Sequence, residues 1–265
     1  MTIGKWSTIK VELTNKILTL TLNRPEKRNA LNPSMLKEIL EILEIFKVDD
    51  EVFGFIFTGS GDAFCSGADL DHMQALKSGN YDQQLTDSRQ LKDFYWSVYT
   101  YPKPVIGAVK GAALAGGCGL VTVFDYILSD RQAVFGYPEV KIGFMAAIVS
   151  VFLSNRVGQG RAKELLLSGK TINADTAERY GLINEIIGNA EELIPRCKEF
   201  MTMLMKNAPA AMISMKQFMI SQNESEMQQK LDRACELNAR TRMLPEFNEG
   251  LSAFLEKRKP YWIKP

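Results

Sequence analysis

Histidine is almost absent from this chain of 265 residues, which contains His72 and no other. One imidazole excludes a metal site built from several histidines, and it leaves a single candidate base for a Ser-His or Cys-His nucleophile. The four cysteines (Cys65, Cys118, Cys197 and Cys235) are too far apart in sequence for a CxxC pair. Their spacing excludes a zinc ribbon and a thioredoxin-like motif, and it predicts reduced thiols in a cytoplasmic protein.

The chain also lacks an excess of either charge, because 32 basic and 31 acidic residues leave a net charge of +1. This balance gives no electrostatic reason to expect a nucleic-acid or membrane-surface partner. Long apolar runs are missing too: Val105–Phe124 is interrupted by Lys110, and Ile142–Leu153 is too short to span a bilayer. Met1–Lys10 has no apolar core of the kind found in signal peptides. We therefore expect a cytoplasmic protein.

Short apolar segments alternate with helical patterns along the first two thirds of the chain. Asn32-Pro33 is typical of a helix start, since asparagine caps well and proline is tolerated at the first helical position. Beyond about residue 190 only helical patterns occur. The alternation predicts an α/β fold with parallel crossovers, followed by a helical region. Predicted strands or hairpins are Val11–Leu22, Val52–Phe57, Val105–Val109 and Tyr126–Ser129, and predicted helices include residues 83–100 and 120–124.

Two loops rich in small residues follow two of the predicted strands. Phe64–Leu70 comes after Val52–Phe57, and Gly111–Leu120 comes after Val105–Val109. Small residues let a backbone approach a ligand closely, and a helix that begins in the second loop would offer unpaired N–H groups. Together the loops predict an oxyanion hole, in which two backbone N–H groups bind one oxygen. From the glycines alone, tight packing of a helix against a strand is the better explanation.

A dinucleotide-binding fingerprint is the competing interpretation of the second loop. Gly117-Cys118-Gly119 follows a predicted strand, and Glu139 lies twenty residues further on. However, the third glycine of that motif is replaced by Thr122. The fingerprint is therefore incomplete.

Five segments, taken in order, resemble the crotonase (enoyl-CoA hydratase/isomerase) superfamily. They are similar to the family's first signature, its oxyanion loop, its glycine-rich helix start, the segment of its catalytic glutamate and its C-terminal segment. The corresponding residues are Asn23–Asn32, Phe64–Leu70, Gly111–Leu120, Phe135–Val140 and Gly250–Pro260. The resemblance implies a spiral of ββα repeats over residues 1–190 and a helical trimerisation region over residues 191–265, with trimers or dimers of trimers whose C-terminal helices pack on neighbours.

The resemblance also implies roles for individual residues in an acyl-CoA site. Ala68 and Gly116 would supply the two N–H groups of the oxyanion hole, and Glu139 would transfer protons. No cofactor is expected beyond the coenzyme A of the substrate, and no metal. Residues expected along the bound substrate are Arg28, which could face the phosphates of coenzyme A, together with Ser66, Ala68, Asp69, Leu70, Gly116 and Gly119.

Gly119 is a departure from the pattern of the two-glutamate hydratases, which have a second glutamate at this position. We expect glycine here to leave space for a branched acyl group. The segment Glu139–Ser150 is similar to a bacterial branch often assigned as methylglutaconyl-CoA hydratases, which act in leucine degradation. The sequence thus favours a hydratase that adds water to an enoyl-CoA. It leaves open a one-glutamate isomerase and a non-catalytic protein that binds acyl-CoA.

Overall fold

The structure is a computed structural model, in which residues 6–264 are described. Their strands form a six-stranded sheet and a four-stranded sheet. The strands are β1 (Ile9–Thr14), β2 (Ile17–Leu22), β3 (Gly54–Gly59), β4 (Ala63–Cys65), β5 (Val105–Val109), β6 (Ala112–Leu114), β7 (Tyr126–Asp130), β8 (Val134–Gly136), β9 (Thr171–Asn173) and β10 (Glu185–Ile187).

Helices cover the sheets and make up the C-terminal region. They are α1 (Pro33–Ile45), α2 (Leu70–Leu76), α3 (Tyr81–Tyr99), α4 (Gly116–Thr122), α5 (Ala147–Ser168), α6 (Ala174–Tyr180), α7 (Leu193–Leu204), α8 (Pro209–Ser221), α9 (Glu224–Arg242) and α10 (Pro245–Leu255), with short 3-10 helices at Pro25–Lys27, Pro138–Ile142 and Ala190–Glu192. Within residues 6–264, none of the helices has the length and apolar character needed to cross a membrane.

Successive strands of the central region alternate between the two sheets. The large sheet has the order β1-β2-β3-β5-β7-β10, and the small sheet has the order β4-β6-β8-β9. Thus β3, β5 and β7 each lie in the large sheet, and the strand that follows each of them lies in the small sheet. Each pair of strands is followed by one or more helices, so the chain winds as a spiral of ββα units. This architecture confirms the predicted fold class.

The inner strands β3 and β5 of the large sheet are buried on both faces, as expected for parallel strands covered by helices, whereas β1 alternates between buried and exposed residues. In β3, Phe55 and Phe57 belong to the main apolar core. Ile56 points to the opposite face and packs with Leu193 and Met201 of α7. Helix α7 therefore closes one face of the large sheet within the chain.

The C-terminal helices pack mainly on the chain's own core. Helix α9 lies against α3 and α5, and α10 lies against the segment Pro138–Ile142. In the tightest of these contacts, a Cβ on Gly250 would collide with the carbonyl of Ile142. The buried faces of α9 and α10 thus pack within the chain, and the contacts of the C-terminal helices with neighbouring subunits stay a prediction. Helix α8 differs, because Met215, Phe218 and Met219 are each about 60% exposed.

Most predicted elements occur, with shifted boundaries. The strand Val105–Val109 has the predicted bounds, and Val11–Leu22 is a hairpin. Asn32 caps α1, since its side-chain oxygen accepts a hydrogen bond of 2.9 Å from the N–H of Met35. The helix predicted over residues 120–124 begins earlier, at Gly116. It can do so because Gly117 lacks a Cβ, which would collide with the carbonyl of Cys65.

Candidate active site

Three parallel strands of the small sheet end at one edge and bring three segments of the chain together. Strand β6 lies between β4 and β8, with Cys65 beside Ala113 and Leu114 beside Gly136. The residues that follow these strands contain the predicted oxyanion loop, the start of α4 and Glu139. A hydrogen bond of 2.8 Å from the N–H of Ala115 to the carbonyl of Gly136 joins the second segment to the third.

Ala68 lies in a loop that is held by Leu31. The N–H of Leu31 donates to the carbonyl of Gly67 at 2.8 Å, and the N–H of Asp69 donates to the carbonyl of Leu31 at 2.9 Å. In such a parallel bridge the residue between the two bonded groups points its own N–H the other way. Within residues 6–264 the N–H of Ala68 has no protein acceptor. It is therefore free to bind a ligand.

Gly116 is the first residue of α4, so its N–H has no partner inside the helix. The N–H of Gly116 lies beside the loop that contains Ala68. A Cβ added to Gly67, the residue before Ala68, would be 3.2 Å from the nitrogen of Gly116. A Cβ on Gly116 would in turn lie 3.7 Å from the nitrogen of Ala68. Both Ala68 and Gly116 are only half-buried. The N–H groups of two half-buried residues thus lie close together, an arrangement that can bind one carbonyl oxygen.

Glu139 is a buried carboxylic acid with unsatisfied hydrogen-bonding capacity. It belongs to the 3-10 helix Pro138–Ile142 and is 7% exposed. Its Oε2 atom is buried and has no hydrogen-bond partner among the described residues. Burial raises the pKa of this carboxyl from 4.5 to about 7, because it disfavours the charged form. A group with this pKa can accept a proton and return it near neutral pH, as a general acid-base catalyst must.

Gly119 does not leave open space, and the expectation that it would is wrong. Val149, at the start of α5, fills the position: a Cβ on Gly119 would overlap its Cγ1 atom and lie 2.9 Å from its Cβ. The hydroxyl oxygen of Tyr95 would be 3.4 Å away. An apolar side chain and a phenol therefore occupy the region where a side chain at residue 119 would begin. The variant Gly119→Glu is expected to lower the stability of the fold.

The other predicted contacts with substrate lie around the first loop. Arg28 is exposed, and among the described residues its guanidinium has no ion-pair partner. Ser66 is half-buried, with its hydroxyl 3.4 Å from the carbonyl of Lys27. Leu70 packs on a small apolar cluster that includes Phe144 and Phe247. These positions keep Arg28, Ser66 and Leu70 as predicted substrate contacts.

Asp69 uses both carboxylate oxygens within the protein. One oxygen caps α2 by accepting from the N–H groups of Asp71 and His72, at 2.9 and 3.3 Å. The other lies 2.7 Å from a guanidinium nitrogen of Arg24 in a buried ion pair. These hydrogen bonds and the charge of Arg24 outweigh burial and lower the pKa of Asp69. The geometry favours Asp69 as a residue that holds the loop, rather than one whose side chain contacts substrate.

His72 also has a structural partner. It lies in α2, and its Nε2 atom is 2.7 Å from a carboxylate oxygen of Asp87. Arg242 contacts the other oxygen of that carboxylate at 2.5 Å. The three side chains tie α2 to α3 and α9. The network gives His72 a structural role, and no role in the reaction follows from it.

Several residues that shape the site had not been singled out from the sequence. Asn29 is fully buried, and its side chain donates to the carbonyls of Ser60 and Ala63, each at 2.8 Å. It thereby holds the turn that leads into β4. Tyr95 and Val149 lie against α4 although they are distant in sequence from it. The left-handed backbone of Arg28 and Asn29, with φ of 48° and 55°, carries no mark in the sequence beyond the preference of asparagine for such turns.

The raised pKa of Glu139 should make the free energy of unfolding depend on pH. The folded protein holds a proton on Glu139 up to a pH of about 7, whereas the unfolded chain releases it near 4.5, so stability falls as the pH rises through this window. The free energy of unfolding of Glu139→Gln, measured relative to wild type, should therefore increase by on the order of 3 kcal/mol from pH 5 to pH 8. Denaturant unfolding at both pH values measures the effect.

The control is Glu12→Gln, which removes one exposed carboxylate of β1. A difference between Glu139→Gln and wild type that is the same at pH 5 and pH 8 would contradict a carboxyl buried without a partner.

Comparison with known proteins supports the interpretation of this geometry. The model of the enoyl-CoA hydratase/isomerase family matches residues 12–265. A crotonyl-CoA hydratase of Syntrophomonas wolfei is 35% identical over 97% of this chain and 98% of its own length. The 2,3-dehydroadipyl-CoA hydratase of Escherichia coli is 31% identical over 96% of this chain and 98% of its own. The crystal structure of an enoyl-CoA hydratase/isomerase from Xanthobacter autotrophicus has a TM-score of 0.87 at 30% identity, covering 96% of this chain and 98% of that one. The chain is therefore an enzyme that belongs to the enoyl-CoA hydratase/isomerase family, within the crotonase superfamily.

Proposed function

We propose that the enzyme is an enoyl-CoA hydratase, which adds water across the α,β double bond of an acyl-CoA thioester. The observation that carries the proposal is the buried, unpartnered oxygen of Glu139. It lies at the carboxyl ends of β4, β6 and β8, where the N–H groups of Ala68 and Gly116 also lie. The names of the similar hydratases from Syntrophomonas wolfei and Escherichia coli support the same activity.

In the proposed reaction, one carboxyl serves as both base and acid. Ionised Glu139 removes a proton from water as the water oxygen bonds to the β-carbon. The electrons of the double bond move toward the thioester, whose oxygen becomes an enolate oxygen held by the N–H groups of Ala68 and Gly116. Protonated Glu139 then delivers its proton to the α-carbon. Each oxyanion donor in such sites is typically worth about 2.7–4 kcal/mol of the barrier.

Substrate recognition is proposed to depend on the coenzyme A part of the thioester. The exposed guanidinium of Arg28 is a candidate partner for its phosphates, since arginine binds phosphate oxygens in a fork. No cofactor beyond this coenzyme A is required by the proposed reaction. A cytoplasmic location, expected from the sequence, stays a prediction.

An isomerase that moves a double bond is the second candidate function. It is favoured by the contact between Gly119 and Val149, because that contact leaves no room for a second carboxylate at residue 119. One carboxyl is enough to move a proton from one carbon of the acyl chain to another, and no water has to be held.

The more specific proposal, that the substrate of the hydratase is methylglutaconyl-CoA, is supported by the sequence of Glu139–Ser150. The two named hydratases differ from each other in the acyl group of their substrates.

The activity is tested with a panel of enoyl-CoA substrates that includes crotonyl-CoA, methylglutaconyl-CoA and a 3-enoyl-CoA. A hydratase should remove the absorbance of the conjugated thioester, whereas an isomerase should create it from the 3-enoyl substrate. Wild-type kcat/KM should rise with pH through about 7 as Glu139 ionises. Glu139→Gln should lose at least about 100-fold in kcat, within the usual range for general acid-base catalysis, while it still binds coenzyme A.

Two results would contradict this reading. Wild-type kcat in Glu139→Gln would remove the carboxyl from the mechanism. Tight binding of coenzyme A without turnover of any substrate would instead indicate a non-catalytic acyl-CoA-binding protein.

The packing at residue 119 predicts a specific coupling with residue 149. Gly119→Ala should lower the free energy of unfolding by about 1–3 kcal/mol, because the new methyl group overlaps Val149. In a Val149→Ala background the same change should cost much less. Gly160→Ala is the matched control, since Gly160 lies in α5, two residues after the non-helical Gly158, with open space around it, and this change should not lower the stability. Equal costs of Gly119→Ala in both backgrounds would show that the contact is not the constraint.

We further propose that the protein forms homotrimers or dimers of trimers through the helical region. Support comes from α8, which has three exposed large apolar side chains: Met215, Phe218 and Met219. Such a cluster is typical of surfaces that are covered in an assembly. Sedimentation should therefore give about three or six times the chain mass of 29.8 kDa. A mass near that of one chain at micromolar concentration would contradict the assembly.

A further inference from the structure

Tyr95 places a hydroxyl group in the core of the protein, beside the first turn of α4. It lies on α3, is fully buried, and packs its ring against that of Phe152, with centroids 6.1 Å apart. Its hydroxyl donates a hydrogen bond of 2.8 Å to the carbonyl of Gly116. Gly116 is the residue whose N–H is proposed to hold the thioester oxygen. The hydroxyl therefore bonds directly to a residue of the oxyanion hole.

The fit between Tyr95 and α4 is close. A Cβ on Gly116 would lie 2.9 Å from the phenol oxygen, and a Cβ on Gly119 would lie 3.4 Å from it. The oxygen thus occupies the space beside the first turn of α4 that both glycines leave free. Glycine at residue 116 is needed for this arrangement, because a methyl group there would press on the hydroxyl.

The peptides on both sides of Gly116 are held by hydrogen bonds: the carbonyl of Ala115 accepts from the N–H of Gly119 at 2.9 Å, and the carbonyl of Gly116 accepts from Tyr95. Glycine has the largest conformational freedom of any residue. The preceding residue, Ala115, has φ of 50° and ψ of −128°, an unusual backbone conformation that the surroundings must maintain. The N–H of Ala115 is held by the carbonyl of Gly136 at 2.8 Å. The bond from Tyr95 fixes the carbonyl on the other side of Gly116, so the residue is restrained from both directions.

A hydroxyl at this position is not explained by packing. A phenylalanine ring would fill the same volume apart from the hydroxyl oxygen, and it would avoid the desolvation of a polar group, which costs on the order of 1–3 kcal/mol when the group is left unpaired. Burial and the charge of nearby Glu139 both raise the pKa of Tyr95, so the phenol stays protonated and donates at neutral pH.

We propose that Tyr95 is a positioning residue, whose hydroxyl orients Gly116 so that its N–H points at the thioester oxygen. This inference rests on the proposed function, because it assigns a supporting residue to the proposed oxyanion hole. It also explains why α3, which is separated from α4 in sequence by two strands, contacts the first turn of α4 through a tyrosine.

The test compares Tyr95→Phe with Tyr101→Phe in the full-length enzyme. Tyr101 is the matched control: it is 4% exposed, and its hydroxyl has no hydrogen-bond partner among the described residues. Its ring packs on Phe55 and is not part of the proposed site. For each variant we would measure the dissociation constants of acetoacetyl-CoA and of coenzyme A, together with kcat and KM on the best enoyl-CoA. Thermal unfolding of each protein shows whether the fold is retained.

Tyr95→Phe should weaken the binding of acetoacetyl-CoA by roughly 10-fold and lower kcat by about 10-fold to 100-fold, as small displacements of positioned groups do. Binding of coenzyme A, which has no thioester oxygen, should be unchanged. The absorption maximum of a bound dienoyl-CoA should shift less to the red than in wild type, because its carbonyl is less polarised. Tyr101→Phe should match wild type in all of these measurements.

Three outcomes separate the possibilities. If Tyr95→Phe weakens the binding of acetoacetyl-CoA and of coenzyme A equally, the role of Tyr95 is purely structural and the inference is overturned. Wild-type values for ligand binding, kcat and the spectral shift would overturn it as well. If the wild-type enzyme binds acetoacetyl-CoA no more tightly than coenzyme A and shows no spectral shift, the proposed oxyanion hole itself is wrong.

Discussion

The parallel pairing of β4, β6 and β8 is the constraint on which the candidate site depends. Because the strands run in one direction, the segments that follow them emerge at the same edge of the small sheet. Those segments carry Ala68, Gly116 and Glu139, which are far apart in sequence. The close contacts that keep the segments in register require glycine at residue 117, where any side chain would collide with Cys65. The glycines of the second loop thus serve packing and site geometry together.

Burial of Glu139 links the stability of the fold to the proposed chemistry. The same removal from water that raises its pKa to about 7 gives it a proton affinity suited to transfer at neutral pH. An exposed carboxylate of ordinary pKa would be a weaker acid-base catalyst, whereas a carboxylate paired with an arginine would be held in its charged form. Asp69 shows the second situation, since Arg24 and two backbone N–H groups lower its pKa. The two carboxylates are thereby separated into a candidate catalyst and a structural anchor.

The alternation of strands and helices in the sequence allowed the α/β fold class to be predicted, whereas Ala68, Gly116 and Glu139 follow from the resemblance to the crotonase superfamily and stay predicted site residues. Strand Val105–Val109 and the cap at Asn32 follow from short-range patterns. The space at residue 119 could not be predicted in the same way, since Val149 reaches it from another helix. The packing of α9 and α10 on the chain's own core likewise depends on tertiary contacts that helical periodicity does not encode. The family resemblance therefore supplied the candidate chemistry, and long-range packing determined the shape around it.

The proposed oxyanion hole requires that two backbone N–H groups bind the oxygen of an acyl-CoA thioester. A crystal structure of the enzyme with acetoacetyl-CoA would show whether they do. The thioester oxygen should lie about 2.7–3.1 Å from the nitrogen atoms of both Ala68 and Gly116, the distance required of such donors. A thioester oxygen bound by other groups, and beyond hydrogen-bond distance from both nitrogen atoms, would contradict the proposed oxyanion hole.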